Sequence, residues 1–324
     1  MRYLFVGDPH AEPTSLKDCT ALARHIITLA SKHKATVVMA GDLYHTHAIV
    51  HAMVQYYWWS FFESCRSNNV DVIVLKGNHD IPGIEGSKAT ALIAHISQCH
   101  AVLYEPVVYS GVLFCPYTSA EQLVKWSNDH PECKTLFCHQ TFDGSVYDNG
   151  FYAGDGVDPE HILQDQVISG HIHTPQEFGK VWYPGAPRWR TLSDANVDRA
   201  VWLLDFDDQG VLQGRQPFDT GAVCRRIYVL EDTEAAPLDI KHDPRHQYNV
   251  LSKGPRSWLE TRKPVFEGWS RWRGVRTDSE AAIAVRESDG VAVAFKKFLE
   301  SYQPRYSTDK DELRQLVKER IGDL

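Results

Sequence analysis

Short, fully apolar runs alternate with longer amphipathic stretches through the first quarter of the chain. Residues 3–6, Tyr-Leu-Phe-Val, read as a buried strand that ends at Gly7-Asp8-Pro9-His10. Leu16, Cys19, Leu22, Ala23, Ile26, Leu29 and Ala30 recur at helical spacing, which predicts a helix over 15–32 with Thr14 as its cap. A second apolar run, 36–40, ends at Gly41-Asp42, and residues 48–63 predict a helix loaded with aromatics. A third run, 70–75, ends at Gly77-Asn78-His79-Asp80. Strand, polar loop and helix in alternation predict an α/β protein, in which sites form beyond the carboxyl ends of the strands.

The rhythm then changes. Runs at 101–103, 107–109, 112–115, 135–138, 167–169, 180–183 and 200–206 read as short strands, which predicts a second sheet packed on the first. Residues 142–158, rich in Gly, Asp and aromatics, predict a loop that follows His139 and borders the substrate cleft. Beyond residue 222 the texture shifts again. Strands are expected over 225–230 and 247–251, and helices over 291–302 and 309–320, so the expected domains are 1–222 and 223–324.

Composition narrows the class. The 324 residues are 43% hydrophobic and 23% charged, which excludes a disordered tail, a collagen-like fibre and a disulfide miniprotein. Seven scattered cysteines without a C-x-x-C pair predict reduced thiols. The apolar run at the start is too short for a signal peptide, and no window reaches the ~18 apolar residues of a membrane span; the expected location is the cytoplasm. A net charge of −8 argues against a nucleic-acid partner. Its distribution weakens that argument, because residues 1–220 carry −10 and the remainder carries +2.

The chemistry lies in five clusters: Asp8-Pro9-His10, Gly41-Asp42-Leu43-Tyr44-His45, Gly77-Asn78-His79-Asp80, His139, and Gly170-His171-Ile172-His173. Each follows an apolar strand. Residues two apart in extended chain share a side, so Asp8 and His10 can aim at one point, as can His171 and His173. Carboxylate with imidazole suits Mn, Fe or Zn rather than Ca. The two oxygens of a carboxylate such as Asp42 can bridge two ions, and two ions ~3.5–4 Å apart clamp a phosphate. A lone histidine at a strand end is usually a loop residue; five such clusters in order are not explained that way.

This series, Asp-x-His, Gly-Asp, Gly-Asn-His-Asp, His, Gly-His-x-His, resembles the calcineurin-like metallophosphoesterase superfamily over residues 8–173. The resemblance implies a four-layer αββα sandwich, with residues 223–324 as a small α+β C-terminal capping domain. It implies two divalent ions, most often Mn, with Mg, Fe or Zn as alternatives. One would be held by Asp8, His10, Asp42 and His173, the other by Asp42, Asn78, His139 and His171. His79 would stand by the scissile phosphate as proton donor or charge stabiliser, with Asp80 orienting it.

Within the superfamily, Asp42-Leu43-Tyr44-His45 lacks the Asp-Arg-Gly of protein Ser/Thr phosphatases and has His45 where purple acid phosphatases have Tyr. It resembles the SbcD-type nucleases, in particular the phage T-even version, as does Tyr183-Pro184-Gly185-Ala186-Pro187 after the last histidine motif. That resemblance implies a DNA nuclease acting in recombination, repair or end processing, with His45 positioning or protonating the phosphodiester. It also implies an SMC-type ATPase partner and a homodimer through the helix over 48–63. Pro9, between the first two ligands, is a departure that concerns how substrate packs there.

Residues 251–276 net +5, with Trp258, Trp269 and Trp272 interleaved among Arg256, Arg262, Lys263, Arg271 and Arg273. These basic residues are candidates for DNA contact; a solvated basic face with inward-packed tryptophans is the plainer alternative. The rival function is a small-molecule or cyclic-nucleotide phosphodiesterase with the same centre.

Overall fold

The computed structural model describes residues 1–47, 49–82, 89–148 and 150–277. The expected helices over 291–302 and 309–320 lie outside the described residues. The chain runs β1 (Arg2–Val6), α1 (Leu16–His33), β2 (Thr36–Met39), α2 (Ala52–Ser67), β3 (Val72–Leu75), β4 (His100–Val102), β5 (Val107–Tyr109) and β6 (Val112–Phe114). It continues with α3 (Ala120–Asp129), β7 (Thr135–His139), β8 (Gln166–Gly170), β9 (Gln176–Phe178), β10 (Val181–Tyr183), β11 (Ala200–Phe206) and β12 (Leu212–Asp219). Last come β13 (Ile227–Thr233), β14 (Gln247–Gly254), α4 (Arg256–Arg262) and β15 (Arg271–Arg276).

Two six-stranded sheets form, in the orders β12-β11-β1-β2-β3-β4 and β5-β6-β7-β8-β10-β9. The central strands β1-β2-β3-β4 and β6-β7-β8 are parallel within each sheet. Strand alternation explains why these runs are apolar throughout. Tyr3 and Phe5 join Val38, Ile73, Phe114, Phe137 and Ile168 in a core between the sheets. Leu4 and Val6 point the other way, into a core with Leu22, Ile26, Trp58 and Phe62 of α1 and α2. Leu113, Leu136 and Val167 pack with Leu123 and Trp126 of α3. The order is therefore helices, sheet, sheet, helix: the four-layer αββα sandwich, with both faces of each sheet covered.

Some elements differ from the sequence reading. α1 is preceded by a 3-10 turn over Pro13–Ser15, so Ser15 rather than Thr14 stands at its N-cap. α2 begins at Ala52, after His51, whose side chain accepts from the Met53 amide. Helix α3 was not anticipated because its inward face is short: Leu123, Trp126 and Ser127 alone are buried. Strand β12 is a mostly exposed edge with few apolar residues, and β15 is exposed along most of its length, so neither carries a hydrophobic run.

The described residues divide into two compact units, Met1–Tyr228 with Arg245–Gln247, and Val229–Pro244 with Tyr248 onward. The second carries most of a three-stranded sheet, β13-β14-β15, and helix α4. All seven cysteines are free thiols. Among the described residues no helix is long and apolar enough to cross a membrane.

Candidate metal centre

Parallel strands deliver their carboxyl ends to one edge: His139 is the last residue of β7, and the other four clusters lie where the chain leaves β1, β2, β3 and β8. The turns are tight. His10, Asp42 and His171 adopt φ of 43°, 50° and 83°, a region side chains rarely occupy. Two glycines are required by close approach. A Cβ on Gly77 would sit 2.2 Å from Asp42 Oδ1, and one on Gly41, itself at φ +102°, would sit 2.4 Å from His139 Nδ1.

The seven residues expected as ligands converge. His10 Nε2 lies 2.9 Å from His173 Nε2 and 3.5 Å from Asp42 Oδ2. Asn78 Oδ1 lies 2.9 Å from both His139 Nε2 and His171 Nδ1, and His139 Nε2 is 3.4 Å from Asp42 Oδ1. The donors of Asp8, His10 and His173 form one set, and those of Asp42, His139 and His171 another, each within 4.8 Å.

These residues fit cations on their own evidence. Asp8 and Asp42 are almost wholly buried, and Asp8 Oδ2 and His10 Nδ1 have no hydrogen-bond partner, although Asp8 Oδ1 accepts from the His171 amide at 2.7 Å. Burial disfavours charge on His139, but Asp42 and Asp8 overcome it and push the imidazole up to about 9. Burial likewise opposes ionisation of Asp42, yet His139, His10 and His79 hold its carboxyl well below the usual range. Burial raises the Asp8 carboxyl instead, so two acids and three imidazoles are packed where charge is costly unless it meets a partner.

Residues 1–175 match the family model for calcineurin-like phosphoesterases, over half of the chain. The chain belongs to the calcineurin-like phosphoesterase family. A viral relative, "Putative phosphoesterase 244L" of Invertebrate iridescent virus 6, is 24% identical over 275 residues, 78% of this chain and 94% of that protein. Two solved structures from Thermus thermophilus overlap it in part. A hypothetical protein gives a TM-score of 0.41 at 14% identity over 68% of this chain and 98% of its own. A 5'-nucleotidase precursor gives 0.35 at 12% identity over 68% of this chain and 54% of its own.

Around this calcineurin-like centre, His79 and His45 sit beside the first donor set. The His79 ring lies 4.6 Å from the His10 ring, centroid to centroid, and the His45 ring lies 5.7 Å from it. The expected role of Asp80 requires correction. Its carboxylate accepts from the Gly77 amide at 2.9 Å and the Tyr44 amide at 3.2 Å, so it braces two loops. The partner of His79 Nδ1 is instead the His45 carbonyl, at 2.7 Å. Burial, then the neighbouring Asp42, pushes the Asp80 carboxyl up to about 7.

Four residues near the centre were missed. His47 stacks on His79 with ring centroids 3.9 Å apart; its place two residues after His45 was the available signal. Asp148 Oδ2 lies 3.1 Å from His173 Nδ1, and nothing in its Gly-Asp-rich loop marked it out. Arg188 donates to the carbonyls of Pro9 and His10, fixing the first-ligand turn, and Arg190 reaches His45. Part of the loop over 142–158 lines a groove. Tyr147, Asp155 and Val157 line a groove of about 1010 Å³ with Lys76, Tyr117 and His171.

In the second unit the basic candidates separate. Arg271 and Arg273 are exposed on β15, as is Lys263; exposed Arg256 pairs with Glu260 at 3.0 Å. Arg262 is corrected: it forks onto the buried Asp232 carboxylate at 2.9 and 3.1 Å, so its donors are turned inward. The tryptophans also face inward. Trp272 Nε1 donates to Ser252 Oγ at 2.8 Å, Trp269 packs on Tyr248 and Phe266, and Trp258 covers Gly254.

Proposed function

We propose that this calcineurin-like phosphoesterase is a two-metal DNA nuclease of SbcD type, acting in recombination, repair or end processing. One observation carries the two-metal reading: the carboxylate of Asp42 faces His10 with one oxygen and His139 with the other, as a bridging ligand must. Asp8, His10, Asp42 and His173 would hold one ion, and Asp42, Asn78, His139 and His171 the other. Bound there, such ions supply Lewis-acid charge to a phosphate and lower the pKa of water.

The chain's own residues do the rest. The Asp42 carboxylate accepts from the His79 amide at 2.8 Å, which ties that loop to the bridging ligand. His79 Nδ1 donates to the His45 carbonyl, so Nε2 is the nitrogen left to hold or give a proton at the leaving oxygen. A positioned acid of this kind contributes roughly 10²–10⁴-fold. Exposed Arg271, Arg273 and Lys263 supply phosphate contacts in the second unit, which supports DNA over a small molecule as substrate. An SMC-type ATPase as partner, Mn as the activating ion and a homodimer through α2 complete the reading. α2 leaves Tyr56 68% and Trp59 47% exposed, which supports the dimer.

The test is hydrolysis with Mn²⁺ of end-labelled duplex DNA, a cyclic nucleotide and bis-p-nitrophenyl phosphate. Cleavage of the DNA, lost in His79→Ala, is expected. Strong cyclic-nucleotide hydrolysis with intact DNA would overturn the nuclease reading in favour of a small-molecule phosphodiesterase. A monomer by light scattering at micromolar concentration would remove the dimer.

A further inference from the structure

Among the described residues Arg190 is a cation without an acid. It is half-buried, and its Nε is buried with no hydrogen-bond partner. Its Nη2 donates to His45 Nδ1 at 2.7 Å. The acid on the same turn, Asp194, is engaged elsewhere. Asp194 Oδ2 accepts from the backbone amides of Arg190 and Thr191 at 2.9 and 2.7 Å, and Oδ1 pairs with Arg199. Among the described residues no carboxylate forms an ion pair with the Arg190 guanidinium. Arg188, two residues earlier, is the contrast: it donates to the Pro9 and His10 carbonyls and to Ser15 Oγ.

A guanidinium held partly out of water costs free energy unless it meets an anion. Its planar fork of five donors matches phosphate oxygens in pairs. The contact also sets the state of His45. Nδ1 is the nearer ring nitrogen, 2.7 Å from Nη2 against 3.4 Å for Nε2; with Nδ1 accepting from arginine, a neutral ring carries its proton on Nε2 and can donate beside the guanidinium. The position of the pair matters too. The His45 ring lies 5.7 Å from the His10 ring and 6.1 Å from the His79 ring, and Arg190 hydrogen-bonds to His45 rather than to any donor of the two metal sets.

We propose that Arg190 and His45 form a second anion subsite beside the metal centre, and that its ligand is the phosphate adjoining the reacting one in a polynucleotide strand. This rests on the nuclease reading and gives it a specificity element: a strand is gripped at two successive phosphates, one at the metals and one at Arg190.

The experiment compares kcat/KM, with Mn²⁺, for the dithymidylate TpT, which has one phosphate, and for pTpT and TpTp, which add one on either side. The wild-type chain is expected to prefer one of the longer two, and Arg190→Met to lose that preference by roughly 10-fold or more. Arg190→Lys, which keeps the charge without the fork and is the milder change to the fold, is expected to retain only part of it. An equal preference in wild type and the lysine variant, or none in wild type, overturns the proposal. A second readout separates it from the nuclease reading. Metal-free wild-type protein is titrated with pTpTp in chelator while the His45 ring nitrogens are followed by ¹⁵N NMR. A shift that disappears in the Arg190 variants supports the subsite even if no diester is cleaved, and no shift in wild type overturns it.

Discussion

The Asp148 carboxylate lies 3.1 Å from Nδ1 of His173, and this contact decides which nitrogen His173 offers to the centre. With Nδ1 engaged, Nε2 remains, and it is the atom 2.9 Å from His10 Nε2. Carboxylates behind ligating histidines orient the ring and raise its basicity. Asp148→Asn keeps the shape but lacks the charge, and is expected to weaken metal binding about 10-fold. Competition against a chelating dye measures it; an unchanged affinity would limit Asp148 to holding Thr174, whose hydroxyl donates to it at 2.7 Å.

Gly77→Ala is expected to act on the centre without altering a ligand. The new Cβ would meet Asp42 at both Oδ1, 2.2 Å away, and its backbone nitrogen, 2.3 Å away. Backbone cannot swing aside as a flexible side chain can, so the Asp42 loop must move. Loss of bound metal with secondary structure retained is the expected outcome, read by elemental analysis and circular dichroism.

Metal loading should stabilise the larger unit. Asp8 Oδ2 is buried without a partner, and cations that bind the folded chain alone raise its stability, by about 2.7 kcal/mol at a hundredfold excess over Kd. Melting curves with chelator and with Mn²⁺ should differ accordingly. Two ions per chain are expected in the loaded protein and fewer in His171→Ala.

Asp232 ties the second unit to pH. Burial opposes its charge, but Arg262, Ser252 and the Leu238 amide hold the carboxyl below its ordinary value. A lowered folded-state pKa means stability that is fully present above the unfolded value of about 3.9 and is lost as pH falls through the lower folded value. Asp232→Asn should remove this acid-sensitive part. Arg262→Met, which strands a buried carboxylate, should cost about 3–5 kcal/mol at neutral pH. Hydrogen exchange of the β14 amides reports both.

Charge reversal at Arg271 and Arg273 should weaken DNA binding and flatten its salt dependence, since each lost phosphate contact lowers the slope of log K against log salt by about one. Arg262 should not behave this way, because its donors already serve Asp232. Fluorescence anisotropy on labelled duplex at several salt concentrations separates the two cases; an unchanged slope in the double variant would remove β15 from the DNA footprint.

The parts of this protein that were legible in sequence share a physical cause. Strands buried on both faces, such as Tyr3-Leu4-Phe5-Val6, must be apolar throughout, so β1, β2 and β3 stood out, and the ligands follow them directly. Elements with one narrow buried face or none left little pattern. Helix α3 buries three residues, and β12 and β15 are largely exposed.

The amino-acid sequence by itself determined the sandwich, the seven converging candidate ligands and the family, because burial and metal ligation both demand particular residue types at short range. Only the tertiary structure decided what those residues lean on. The Asp148 contact with His173, the Arg190 contact with His45 and the Arg262 contact with Asp232 join residues 25, 145 and 30 positions apart. No local period records such pairs: a charged side chain reads the same in sequence whether it faces solvent, a carboxylate or a histidine. Folding selects among these by desolvation, which pairs Arg262 with a carboxylate and, among the described residues, Arg190 with a histidine.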